Sequence, residues 1–436
     1  MNLSSGIRTA AAAFVPSSPP PSPPPPHTLL ALAASMPWAR LLLPVLLLYI
    51  VLCRTLRHRR EKALREKLGF PDRASLARMT TVEAQQIIHF MSSWEMPLFQ
   101  FLALQFGLFK TYGIESISRL LLATGNLTDP ERSPKRFEDT AVLIGEFLVS
   151  PPTTERAMRG IARMNFLHSK YVAAGTITNA DLLYTLSVFI TEPPRFARLY
   201  DWRPLNAMER CAYGVFWKSI GDAMGIEYKG YLEHAPAWRD GLEFAEDIEA
   251  WAKSYEIQAM KPSTVCAKPA RALIPMITYW VPWFAKGFVT EVVVALLDDR
   301  AREAFMLPVP GITAIATTYT LLVLRRFVVQ HLTLPRFFEF KRQQEPDPQT
   351  GRATQRIQYG NYPFYMKPTF WNRWGPGAWV VRALGGKLPG DDPDVYMPEG
   401  YLVTDLGPKN RVGLGAEEME VDVKKIKASR WGGCPF

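Results

Sequence analysis

The stretch RMNFLHSKYVAAGTITNADLLYT, residues 163–185, holds the end of one helix, a turn and the start of another. Apolar residues recur at helical spacing as far as Ala174, Gly175 then breaks the run, and TNAD opens the next. Thr178 and Asp181 have the spacing of a capping box, which fixes where the second helix begins and keeps the two helices close together. His168 falls on the apolar face of the first helix with Ile161, Met164, Tyr171 and Val172. On the same spacing Arg163 and Lys170 are expected to point away from that face, and Asn165, one turn before, is a candidate to orient the imidazole. A lone histidine on an apolar face is more often a hydrogen-bonded core residue than a ligand. Spacing therefore leaves both readings open.

Outward from this stretch the helical period continues. Segments such as TVEAQQIIHFMSSW, SPKRFEDTAVLIGEFLV, DLLYTLSVFITEP and NAMERCAYGVFWKSIGDAMG place apolar residues three and four apart, and most open with Ser, Thr, Asp or Asn. No run alternates with the period of a strand, so the expected class is all-α, with a helical domain over residues 76–341. Beyond it, residues 342–436 shift to Pro, Gly, Trp and Tyr and are expected to form an irregular C-terminal extension wrapped on the helical body.

The other end differs in kind. Residues 1–27 are a Pro-rich tail that cannot build a core. Residues 28–53 carry an uninterrupted apolar run from Leu41 to Cys53 beside Trp38 and Arg40, and read as a transmembrane anchor approaching the ~20 residues a bilayer needs. Residues 54–75 form a basic juxtamembrane linker. A cleaved signal peptide would carry its charge before the apolar run, whereas here Arg54, Arg57, Arg59 and Arg60 follow it. By the positive-inside rule the short N-terminus is lumenal and the rest cytosolic. A buried core helix interrupted by Pro44 is the competing reading. Residues 272–334 are also apolar, but Pro275, Pro282, Glu291, Asp298 and Asp299 punctuate them, so amphipathic packing with one face against the membrane is expected rather than a span.

The composition, 48% hydrophobic and 12% aromatic over 436 residues, excludes a disordered chain. The net charge of +10 is concentrated after the apolar run, which points to an anionic lipid surface and not to nucleic acid. The four cysteines form no CxxC pair, and Cys434 is one place short of a prenylation box. The six histidines are scattered, with no HExxH, and neither a GxSxG elbow nor a phosphate loop occurs. GPGAWV, from Gly375, is too incomplete for a dinucleotide site. What remains is single-residue ligation or substrate binding inside a helical body. Haem b suits such a setting, with one neutral histidine, apolar walls and cations for the propionates.

KTYGI, KRFEDTAVLIGEF, RMNFLHSKYVAAGTITNADLLYTLSVF and DWRPLNAMERCAYGVFWKSIGDAMGI together resemble the fungal ER-bound oxygenases typified by the mycophenolic acid pathway, which are related to latex-clearing rubber oxygenases. The resemblance covers most of residues 96–256. It implies a globin-like haem b domain that uses dioxygen to cleave a C=C bond in the isoprenoid side chain of a secondary metabolite, giving carbonyl products. It places the proximal iron ligand at His168, with Met164 and Asn165 as further cofactor contacts. Arg136 and Thr140 fall on the distal side, to polarise oxygen and to donate a hydrogen bond. Two departures stand out: Asp139 replaces a distal lysine, and Val172 an arginine. Glu115 and Glu138 are the candidates for a base. Trp202, Arg203 and Glu209 read as packing residues, while Trp94 and Glu95 are ambiguous. The implied partners are a hydrophobic prenylated small molecule, dioxygen and the lipid bilayer, at the endoplasmic reticulum membrane. The rival from another class is a non-catalytic prenyl-lipid binding or scaffold protein on the same helical frame. A haem-free hydrolase or transferase is weaker still, since no nucleophile pairs with a base.

Overall fold

The computed structural model describes residues 37–358, 360–429 and 431–436. The Pro-rich head and residues 28–36 of the expected anchor lie outside them. The chain divides after Leu52, and the helical body is the unit from Cys53 to Phe436. Among the described residues there is no β-strand, only isolated bridges such as Ala353 with Tyr401. The chain is all-helical.

Helix α1 (Pro37–Leu68) is unbroken, with Pro44 inside it. The basic residues expected to form a linker instead continue the helix, because residues 54–68 contain no helix breaker. Its residues Leu42–Leu48 are apolar and exposed. Further along, Arg57 donates to Thr333 O at 3.0 Å and to Leu334 O at 3.1 Å.

The body is built on α8 (Ala207–Ala223), in which every residue from Cys211 to Gly221 is buried. A helix hydrophobic nearly all round must be enclosed, and α8 is: α2 (Thr81–Phe90), α7 (Asn179–Tyr200) and α9 (Gly241–Ala259) pack around it. Gly214 and Gly241 lie where α8 meets α9: a Cβ on Gly214 would overlap the Gly241 backbone, and one on Gly241 would overlap the backbone of Cys211 and Val215. Trp217 stacks on Phe189 with ring centroids 4.3 Å apart. The start of α8 is fixed by an Asn206–Glu209 capping box, and Arg203 grips the Glu209 carboxylate with two bonds of 2.7 Å. Trp202, Arg203 and Glu209 are packing residues, as their pattern suggested.

Around this centre lie α3 (Pro97–Thr111) against α7, α4 (Glu115–Thr124) against α10 (Thr264–Ile277), and α5 (Ser133–Val149) against α6 (Glu155–Ala173). The C-terminal extension is more ordered than its composition suggests, because it ends in α13 (Ala416–Ala428). That helix packs on α6 and buries Met419, Val423 and Ile426 in the main core.

Helices α11 (Lys286–Leu296) and α12 (Ile312–Phe327) form an apolar pair. With its last turn, α12 makes the one stretch among the described residues long and apolar enough to cross a bilayer, Ile312–Leu332. Length and composition thus select the segment the punctuation argued against, since no charge falls between Ile312 and Leu324. Its first end is tied to α11 and its last turns to the body. Gly311 N donates to Glu291 at 2.9 Å, Arg326 donates to Asp201 O at 2.7 Å, and Arg325 pairs with the Asp201 carboxylate.

Arg163 points away from the His168 face, as expected, yet has no exposed surface. Its guanidinium donates to Leu406 O at 2.9 Å, Leu414 O at 2.6 Å and Arg411 O at 2.8 Å, which lashes the extension to α6. Arg163→Met leaves three carbonyls without donors and is expected to lower stability by about 3 kcal/mol. Urea unfolding measures that loss, and limited proteolysis is expected to open a new cut within residues 404–415.

Candidate active site

Thr154 caps α6, and the stripe Ala157, Met158, Ile161 and Ala162 seats its first half in the core. That anchoring sets the rotation of the second half, so Met164, Leu167, His168 and Tyr171 line one cavity of about 970 Å³. At the turn Gly175 takes φ of +67°, which a side chain would resist. The Thr178–Asp181 box then starts α7: Thr178 N donates to Asp181 at 3.0 Å, and Asp181 N donates back to Thr178 Oγ1 at 3.2 Å. The adjacent helix α7 makes a second wall through Leu182, Leu186 and Phe189, while α5 contributes Arg136, Thr140 and Phe147. Leu120, Leu121 and Leu273 extend the cavity into an apolar end between α4 and α10. Its volume is at the upper end of the ~300–1,000 Å³ of small-molecule sites.

His168 has a buried Nδ1 with no hydrogen-bond partner. Burial, with the Arg136 charge as a lesser cause, lowers its pKa to about 4, so the imidazole is neutral at pH 7. A neutral imidazole without a hydrogen bond keeps a free electron pair to offer. Arg136 and Thr140, brought to the same cavity, are joined to each other: the guanidinium donates to Thr140 Oγ1, and that hydroxyl donates to Arg136 O at 2.8 Å. Burial lowers the Arg136 pKa as well, though a guanidinium keeps its charge.

Other expected roles are redistributed. Asn165 donates to Ala223 O at 3.0 Å and to Asp422 at 2.7 Å, so it ties α6 to α8 and α13 and makes no bond to the imidazole. Its amide helps wall a second, shallower cavity of about 550 Å³ that also touches His168 and Val172. Asp139 faces away from the main cavity and accepts from Lys135 at 2.6 Å, Tyr365 at 2.6 Å and Gly407 N at 2.9 Å. Neither candidate base lines the cavity: Glu115 pairs with Arg119 on the surface, and buried Glu138 accepts from Gly360 N at 2.9 Å. Among the described residues the sole carboxylate in the lining is Asp181, already engaged by its cap. Glu95 lies elsewhere, beside Arg203 and Glu209, where burial raises its pKa to about 7. Lys170, expected to point away from the His168 face, lines the cavity as well, and the extension residues Lys409 and Arg411 are unanticipated there. A clue to the last two was the basic PKNR sequence, which nothing local explains.

The catalytic-domain family described as ER-bound oxygenase mpaB/B'/Rubber oxygenase matches residues 121–330, a span that includes His168, Arg136 and Thr140. Relatives extend the likeness over nearly the whole chain. It is 39% identical to the ER-bound oxygenase mpaB' of Penicillium brevicompactum over 415 residues, which are 93% of this chain and 97% of that one. It is 37% identical to ER-bound oxygenase mpaB of the same organism over 387 residues, covering 87% and 92%. A Penicillium roqueforti mpaB is 40% identical over 277 residues, covering 63% of this chain and 93% of the relative. The chain belongs to this ER-bound oxygenase family. It is an oxidoreductase, with dioxygen and a small molecule as the reactants its class implies.

The histidine predicts a pH dependence. Its folded pKa of about 4 lies below the ordinary 6.5, so between these values the unfolded chain takes up a proton that the native one refuses. With nothing bound to the imidazole, stability is expected to fall as pH drops through that window and to level off below it. The full loss from this group is about 3 kcal/mol. His168→Leu is expected to remove this part of the slope in a series of urea titrations.

Proposed function

We propose that this chain is a membrane-attached, haem b-dependent oxygenase that cleaves a C=C bond in an isoprenoid side chain with dioxygen. The observation that carries the reading is the half-buried, neutral imidazole of His168, its buried Nδ1 unbonded, at the wall of a large apolar cavity it shares with Arg136 and Thr140. Family membership supports the oxygenase class. In this reading the helical body is a globin-like haem domain.

The residues suit the cofactor. Among the described residues no three His, Cys, Asp or Glu side chains cluster to hold a bare metal ion. A single histidine therefore suits a metal whose other ligands arrive with a macrocycle. His168 would hold the haem iron and Met164 would be a wall contact, and the bound haem would supply the activation of dioxygen. Asn165 would act at one remove, by holding α6 in place. Arg136, charged and held by Thr140, would present positive potential where charge develops on oxygen. The apolar end at Leu120, Leu121 and Leu273 would take the prenyl chain and exclude water from the reacting bond. Cleaving an alkene with one dioxygen gives two carbonyls, with both oxygen atoms in the products and no net proton exchanged. A wall whose only carboxylate is occupied by a helix cap is compatible with that balance.

Attachment to the endoplasmic reticulum membrane would come through the apolar stretch of α1, in a single pass with a lumenal N-terminus. The relatives' names, which call them ER-bound, support this. The tether of Arg325 and Arg326 to Asp201 favours the segment Ile312–Leu332 lying along the body over a second crossing. Exposed Trp283 and Phe284 follow α10, whose Leu273 lines the cavity. They would meet the lipid in which a prenylated substrate dissolves.

Three outcomes test the reading. Purified protein is expected to show a Soret band that His168→Ala abolishes; prenyl-lipid binding with no haem and no oxygen uptake would instead favour a carrier or scaffold. Arg136→Gln is expected to keep the band and to slow oxygen consumption by about 10²-fold, the usual loss on removing one preorganised donor. Asn126, an acceptor sequence with Thr128 at the cavity wall, is expected to stay free of glycan in cells, and a shift on endoglycosidase treatment would reverse the orientation.

A further inference from the structure

The cavity is apolar at one end and cationic at another. The cations there come from two parts of the chain far apart in sequence: Lys170 on α6, and Lys409 with Arg411 on the extension. Among the described residues no carboxylate pairs with any of the three. Arg411 lies over the Phe166 ring at 5.3 Å, and Lys170 is one helical turn on from Phe166, so these charges share one side of α6. Cations grouped at a cavity mouth raise the local positive potential and favour an anionic ligand there.

The backbone that carries Lys409 and Arg411 is held from beneath. Arg163 binds the carbonyls of Leu406, Arg411 and Leu414, and Asp139 accepts from Gly407 N. Gly407 has φ of +123°, and a Cβ there would meet Leu167 at 2.9 Å, so the loop is seated on α6 in a form only glycine tolerates. Arg411 N donates to Pro408 O at 2.8 Å and closes the turn. Such a loop has already lost the freedom that binding would otherwise cost.

We propose that Lys409 and Arg411, with Lys170, form a carboxylate-binding rim that holds the solvent edge of the cavity's ligand, and that Arg163 and Asp139 are its positioning residues. Building on the haem reading above, the carboxylates are the two haem propionates. The same chemistry would receive the carboxylate of an acidic prenylated substrate.

The test uses the full chain in detergent and the double variant Lys409→Gln/Arg411→Gln, whose side chains lie at the rim and outside the core. Each is loaded with haem or with haem dimethyl ester, and release to excess apomyoglobin is timed. The double variant is expected to release haem about tenfold faster than the parent, while the ester leaves both at the same rate. In parallel, binding of a farnesylated aromatic acid and of its methyl ester is compared in both proteins. If haem release is unchanged but the acid loses its advantage over the ester in the variant, the rim stands and its carboxylate belongs to the substrate. If neither pair changes, the rim assignment is overturned. If the parent takes up no haem at all, the haem reading falls, and the acid and ester pair alone decides the rim.

Discussion

A guanidinium with no exposed surface has to be surrounded by acceptors, and Arg163 finds three of them, all backbone carbonyls of one loop. An isolated charge in that place would be intolerable, so the loop and the helix cannot settle independently. The arginine sits five residues before His168 on the same helix. One side of α6 is therefore committed to gripping the extension and an adjoining side to lining the cavity. Asp139 performs the matching task from α5, through Lys135, Tyr365 and Gly407. Together they make the C-terminal residues part of the site's scaffold.

Much of the helical body was legible in the sequence because it follows local rules. The Thr178–Asp181 box has the expected reciprocal bonds, and Asn206 with Glu209 repeats the device at α8. The apolar face that put Met164 and His168 together is the face that lines the cavity. What stayed hidden were contacts across long separations. Periodicity counts an arginine as solvated, so it could not reveal that Arg163 meets carbonyls more than two hundred residues away. Asn165 was misjudged for the same reason, since its partners Ala223 and Asp422 lie on other helices. The basic residues after the apolar run suggested a linker because charge density alone does not end a helix.

The cavity divides its labour by element. Helices α4 and α10 supply bulk hydrophobic surface, α5 a single cation locked to a hydroxyl, and α6 the free imidazole. Carboxylates are kept out: Glu115 is at the surface, Glu138 and Asp139 are spent on the extension, and Asp181 is consumed by its cap. In a poorly solvated space, this arrangement leaves positive potential unopposed near the histidine. Burial, aided by the Arg136 charge, depresses the basicity of the imidazole, and the site favours electron-rich ligands.

The latch also imposes an order of events. Arg163 and its acceptors are separated by 243 to 251 residues, and a ribosome delivers the chain from the N-terminus onward. Helices α5 to α8 emerge first and can pack into a body that is open on the side Lys409 and Arg411 will occupy. The cavity closes only after residues 406–414 have been made. Until then the side of the cavity that Lys409 and Arg411 line stays unfinished.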